Sequence, residues 1–215
     1  MKTKSSALFV WLCFLAYAGF AIAGQKTGEI KLPQPETYGG KPLMQALKQR
    51  SSVRNFSRKE IPLQVLSNLL WAAFGVNRPD TGGRTAPSAQ DIQEIDIYVA
   101  KADGLYRYNA QDNTLEQILQ DDVRASTGMQ PFVAQAPLNL VYVADYAKMG
   151  KAGNKKDFYA AADTGFISQN VYLFCASEGL ATVVRGWFEP EKLRNAMKLR
   201  PEQKIILTQS VGYPQ

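Results

Sequence analysis

The stretch Ile95-Asp-Ile-Tyr-Val-Ala-Lys-Ala-Asp-Gly-Leu-Tyr-Arg-Tyr108 alternates in polarity on either side of Asp103-Gly104. A period of two predicts a half-buried strand, and Asp-Gly between two such runs predicts a hairpin. Upstream the period is helical. Leu63, Leu66, Leu69, Leu70 and Ala73 recur at helical spacing after Ile61-Pro62, and the pattern stops at Gly75. A shorter helix over Pro42 to Gln49 precedes it, with proline in its first turn. Asn77 to Gly83, with Pro79, Gly82 and Gly83, reads as a loop. Downstream, Leu138 to Ala144 is almost continuously apolar, which predicts a central strand. Phe158 to Gly179 predicts a long helix, apolar on several faces and so a core or subunit-interface element, closed by Gly179. Thr182-Val-Val and Ile205-Ile-Leu-Thr are two more strands, with a helix from Pro190 to Leu199 between them. This order predicts a single α+β domain with a mixed central sheet flanked by helices.

Three segments divide the chain. Residues 1–23 read as a signal peptide: Lys2 and Lys4, an uncharged apolar run from Ala7 to Phe20, then Ala21-Ile22-Ala23, which a signal peptidase accepts. The alternative is a retained anchor, although about 17 residues is the lower limit for a span. Either reading exports the chain, to the periplasm or beyond. Residues 24–41 form an extended arm, and residues 42–215 the folded domain.

Composition narrows the chemistry. The formal charge is +6, or +4 without Lys2 and Lys4, and the charges are interspersed. No basic run marks a nucleic-acid partner. Loss of Cys13 with the signal leaves Cys175 alone, so no intramolecular disulfide forms; Cys175 sits in an apolar stretch as a buried small hydrophobe. The chain has no histidine. That excludes Ser-His-Asp and Cys-His triads and histidine-based zinc sites, and no other metal site is expected. Chemistry then falls to a bound organic cofactor.

Three constellations could hold one. Arg50-Ser51-Ser52-Val53-Arg54 places two guanidinium forks and two hydroxyls together, a set suited to phosphate; the same residues also suit a solvated helix end. Thr85-Ala-Pro87-Ser88-Ala89-Gln-Asp91-Ile-Gln93 lets backbone approach a planar ligand, with polar side chains for the edge of a heterocycle; the alternative is a strand-entry loop. Arg185-Gly186-Trp187 ends a strand and can present backbone amides, or can be a turn before the next helix.

Taken in order, these segments resemble the nitroreductase family. The resemblance rests on the Arg50-Ser-x-x-Arg54-x-Phe56 opening, the Pro87-Ser-Ala89 segment, Asp163-Thr-Gly165-Phe-Ile-Ser-Gln169-Asn170 and the Val211-Gly-Tyr-Pro214 close. It runs from about Pro42 to Pro214. Arg84 to Asn109 looks closest to the SagB-type dehydrogenase branch. The resemblance implies an α+β sandwich in an interlocked homodimer, with FMN in clefts at the interface. It assigns the FMN phosphate and ribityl chain to Arg50, Ser51, Ser52 and Arg54, and the isoalloxazine to Pro87, Ser88, Ala89 and Asp91. Backbone amides of Arg185 and Gly186 would face flavin N5 and O4 and stabilise negative charge on the reduced ring. No side chain is implied as an independent catalyst. Asp163, Gln169 and Asn170 are expected as packing and interface residues. Asp91 stands where many members carry asparagine; an ionised carboxylate cannot donate, so it must be protonated, matched by a cation or turned away. Many members also continue past the point where this sequence ends, with a basic tail that reaches the phosphate. The implied activity is a ping-pong flavin oxidoreductase acting on a small molecule, supplied outside the cytoplasm by its substrate or by a redox-protein donor. The rival is a non-catalytic protein that holds a flavin or another planar ligand.

Overall fold

The structure, a computed structural model, describes residues 28–215. The expected signal peptide lies outside the described residues. Within them the chain runs β1 (Glu29–Lys31), α1 (Leu43–Gln49), α2 (Leu63–Phe74), β2 (Val76–Arg78), β3 (Gly83–Arg84), β4 (Ile95–Lys101), β5 (Gly104–Asn109) and β6 (Thr114–Leu119). It continues through β7 (Leu138–Asp145), α3 (Lys156–Glu178), β8 (Ala181–Arg185), α4 (Pro190–Ala196) and β9 (Gln203–Gly212). Seven strands form one sheet in the order β1-β6-β5-β4-β7-β9-β8. Every pairing among the described residues is antiparallel. The α+β expectation therefore stands, but the central sheet is antiparallel throughout rather than mixed, because its neighbouring strands are joined by hairpins and returning connections rather than by parallel crossovers.

β7 is buried at all eight positions because the sheet is covered on both faces. Leu138, Leu140, Tyr142 and Ala144 point into the large core against α2 and α3. Val141 and Val143 point the other way and meet Leu193 of α4 and Met197 just beyond its end. Of the apolar spacing read for α2, Leu66, Leu69, Leu70 and Ala73 form the buried face, while Leu63 in the first turn is exposed. α3 stops at Gly179, whose φ of 71° is the left-handed conformation that glycine adopts without steric cost.

Three local readings change. Asn77 to Gly83 is a small two-stranded ribbon, β2 with β3, with an irregular register rather than a plain loop. β6 has no counterpart in the sequence reading. The extended arm is partly a strand, since β1 pairs with β6 at the sheet's edge.

Candidate functional site

The segment after α1 is threaded along the outer edge of β8. Val53 donates its N–H to the Thr182 carbonyl, Ser57 donates to the Tyr213 carbonyl, and Phe56 bridges to Pro214. The sequence opening of the motif and its close are thus neighbours in space. Arg50 lies half-buried, with its guanidinium 5.4 Å from the centre of the Tyr172 ring, a cation–π distance. Ser52 Oγ is 2.9 Å from the Tyr172 hydroxyl, which also accepts the Val184 N–H at 2.9 Å. Ser51, Ser52 and Arg54 are exposed. Tyr172 is the centre of this cluster and was missed, because a single phenol inside Val171-Tyr-Leu-Phe-Cys reads as core.

The second cluster is a strained loop between β3 and β4. Gln90, Asp91 and Gln93 all have φ between 50° and 60°, a region rare for residues with a Cβ. Short bonds hold it. Ser88 Oγ accepts the Gln93 N–H at 3.0 Å, and the Ala89 N–H donates to Asp163 Oδ2 on α3 at 2.8 Å. Asp91 is exposed and accepts from Gln93 Nε2 at 3.0 Å. Its carboxylate is turned onto a neutral amide. Pro87 is exposed, and Ser88 and Ala89 are half-buried.

Asp163 has a neighbour that the sequence reading passed over. Glu94 is fully buried, and neither carboxylate oxygen has a hydrogen-bond partner within geometric limits among the described residues. Burial pushes its carboxyl up to about 7, with the Asp163 carboxylate adding to the shift and Lys148 opposing it. A glutamate beside a loop ordinarily reads as solvated, so no local signal marks it.

The third cluster is Arg185-Gly186-Trp187 at the end of β8. Successive residues of an antiparallel strand face opposite sides. Since the Val184 N–H turns outward to Tyr172, the Arg185 amide faces β9, where Arg185 lies opposite Thr208. Gly186 follows on the outward side and is exposed, as is Trp187. The Arg185 side chain runs inward: Nη1 donates to the Thr127 carbonyl at 2.7 Å and Nη2 to Asn139 Oδ1 at 3.0 Å. Gly128 makes room for it. A Cβ there would lie 2.0 Å from Arg185 Nη1 and 3.0 Å from Val133 Cγ2. Gly128→Ala should therefore destabilise the fold by about 1–3 kcal/mol, the range for overpacking; urea unfolding with an unchanged midpoint would contradict that contact.

One chain brings the first and third clusters together, around Tyr172 and Val184. The loop at Ser88 is set apart from them. Its anchor, Asp163, is nine residues before Tyr172 on α3, about 13 Å along a helix axis. A cavity of about 540 Å³ lies elsewhere, at the opposite end of β4 and β7. Arg58, Lys101, Asp103, Arg124 and Leu138 are among its walls, and none of the expected cofactor residues is. Among the described residues there is no group of three or more His, Cys, Asp or Glu that could hold a metal ion.

The sequence model described as the nitroreductase family matches residues 47–213. The chain belongs to the nitroreductase family. A nitroreductase-family protein of Methanocaldococcus jannaschii is 32% identical over 192 residues, covering 84% of this chain and 95% of its own length. A crystal structure of a nitroreductase-family protein from Ralstonia eutropha is 44% identical, with a TM-score of 0.84 over 89% of this chain and 92% of that one. The fold alone is shared with a chain of the Escherichia coli microcin synthetase McbBCD complex, at 17% identity and a TM-score of 0.69, over 96% of this chain and 85% of that one. Membership of the nitroreductase family makes the chain an oxidoreductase.

Proposed function

We propose that this nitroreductase-family chain is an exported FMN-dependent oxidoreductase that works as a homodimer on a small-molecule substrate. The observation that carries the reading is the convergence of Arg50, Ser52 and Tyr172 on the outer edge of β8 beside the exposed Gly186. That donor set fits the group. Arg50 and Arg54 supply charged forks for a phosphate, Ser51 and Ser52 supply hydroxyls, and Gly186 allows a planar ring to approach backbone. When bound, FMN supplies two-electron transfer as a hydride at N5. The chain's part is to bind, orient and set the local field, since no side chain here has the surroundings of an activated nucleophile. The sole cysteine of the folded domain, Cys175, is fully buried, and burial pushes its thiol far above its ordinary value. Two substrates using one pocket in turn would give ping-pong kinetics.

The surface supports the homodimer. Leu43 and Met44 on α1 and Phe158 and Phe166 on α3 are exposed, the phenylalanines by 69% and 50%. α1 packs against α3, and both helices carry exposed apolar side chains that a second copy would cover. A second copy could also bring its Ser88 loop to the Arg50 cluster, which one chain keeps apart. Sedimentation should find a dimer, and a monomer at all concentrations would remove this part of the reading.

Export shapes the direction of electron flow. Nicotinamide donors are scarce outside the cytoplasm, so the proposed reaction is oxidation of a substrate, or reduction fed by a redox protein. That direction also suits the SagB-type dehydrogenases that Arg84 to Asn109 resemble. The test is the absorbance spectrum of purified protein with added FMN: flavin bands that survive gel filtration support the site, and a colourless protein sinks it. Arg50→Ala should weaken FMN binding by about 1.5–3 kcal/mol, roughly 10- to 150-fold, the range for a charged hydrogen bond. Unchanged affinity in a titration would remove Arg50 from the phosphate site.

A further inference from the structure

Arg185 is a buried cation without a counterion. The residue is 4% exposed, its two Nη groups bond a backbone carbonyl and an asparagine, and its Nε–H has no acceptor among the described residues. The ion pairs among the described residues all involve other basic side chains. Burial lowers its pKa to about 10, and no acid acts against that shift, so the guanidinium remains charged at neutral pH. Taking such a charge out of water costs several kcal/mol unless something compensates it. Asn139 Oδ1, the acceptor of Nη2, also accepts from Ser210 Oγ at 2.5 Å, so its dipole is held in place from two sides. The chain thus fixes a full positive charge against Asn139 of β7 and the Thr127 carbonyl, on the side chain of the residue that precedes the exposed Gly186.

We propose that Arg185 is a positioning residue whose buried charge raises the reduction potential of the flavin seated against Gly186. This rests on the FMN reading above. A hydride carries two electrons and one proton, so receiving it adds one negative charge to the ring. A fixed cation in a poorly screened interior stabilises that added charge and favours the reduced form. The consequence is a bias towards taking a hydride from an organic substrate, the direction that export favours.

The experiment is a spectroscopic redox titration, with dithionite, of purified protein carrying FMN. Arg185→Gln should move the midpoint potential to a more negative value, and Arg185→Lys should keep it close to that of the unaltered protein. Asn139→Asp is the companion where Arg185→Gln fails to fold. It sets a carboxylate against Nη2 while the arginine stays, and it should move the potential in the same negative direction. A potential that stays put in Arg185→Gln or in Asn139→Asp overturns the inference, as does an equal shift in the lysine and glutamine variants. FMN bound with an unmoved potential refutes only this role for Arg185. A protein that binds no FMN refutes the flavin reading and this inference together.

Discussion

Replacing Glu94 with glutamine should stabilise the fold at pH 8 by roughly 3 kcal/mol and flatten its pH dependence between about 4.5 and 7. The carboxyl has an ordinary value of 4.5 and is pushed up to about 7 in the folded chain. Below about 4.5 both the folded and unfolded chains hold the proton, and the group contributes nothing to pH dependence. Between the two values the folded chain holds a proton that the unfolded chain has lost, so stability falls as pH rises. Above about 7 the whole penalty of a buried charge is present. Two and a half pKa steps correspond to roughly 3 kcal/mol, an order-of-magnitude figure. Glutamine keeps the shape, removes the charge, and can donate an N–H towards Asp163. Urea unfolding of both proteins from pH 4.5 to 8 tests this. Parallel stability curves would show that Glu94 does not carry the raised carboxyl.

The same site also bears on the neighbouring loop. Asp163 holds the Ala89 N–H, and so anchors the strained Ser88 loop. A carboxylate pressed against Asp163 acts on the same anchor. The Glu94→Gln variant should therefore retain that loop's tie to α3 at alkaline pH.

Leu69→Ala should cost about 2–5 kcal/mol, the range for emptying a leucine site in a tight core. Leu69 is 0% exposed on the face of α2 that packs towards α3 and the sheet. α2 leads into the β2–β3 ribbon, and the Thr85 amide, at the start of the Ser88 loop, bonds back to the Gly75 carbonyl at the end of α2. Loosening α2 therefore loosens the loop as well as the core. The control is Leu63→Ala on the same helix, 43% exposed, where the loss should stay within about 0.5 kcal/mol. Equal losses at the two positions in urea unfolding would mean that α2 is not buried as described.

The elements that the sequence disclosed are those whose signal is local. β4 and β5 alternate around Asp103-Gly104, α2 repeats its leucines at helical spacing, and β7 is apolar throughout because both its faces are covered. β6 escaped because Leu115, Ile118 and Leu119 break the period of two, and its pairing with β5 shifts register near Leu105. β1 is three residues long and carries no pattern of its own; it exists because β6 offers an open edge. The site divides the same way. Arg50, Ser52, Ser88 and Gly186 stand in an ordered motif, whereas Tyr172 and Glu94 acquire their surroundings only from residues far away in the chain.

The alternation around Asp103-Gly104 and the helical leucines of α2 follow from backbone geometry, so the sequence by itself determined the α+β class and most of its elements. The ordered motifs by themselves determined the nitroreductase family. Tertiary structure alone decided that Arg185 turns inward without a counterion, that Glu94 lies against Asp163, and that the Ser88 loop sits apart from Arg50. The reason is physical. A helix or hairpin is selected by neighbours along the chain, but the state of a charge is set by the dielectric and partners around it, and those come from strands and helices that only folding brings together.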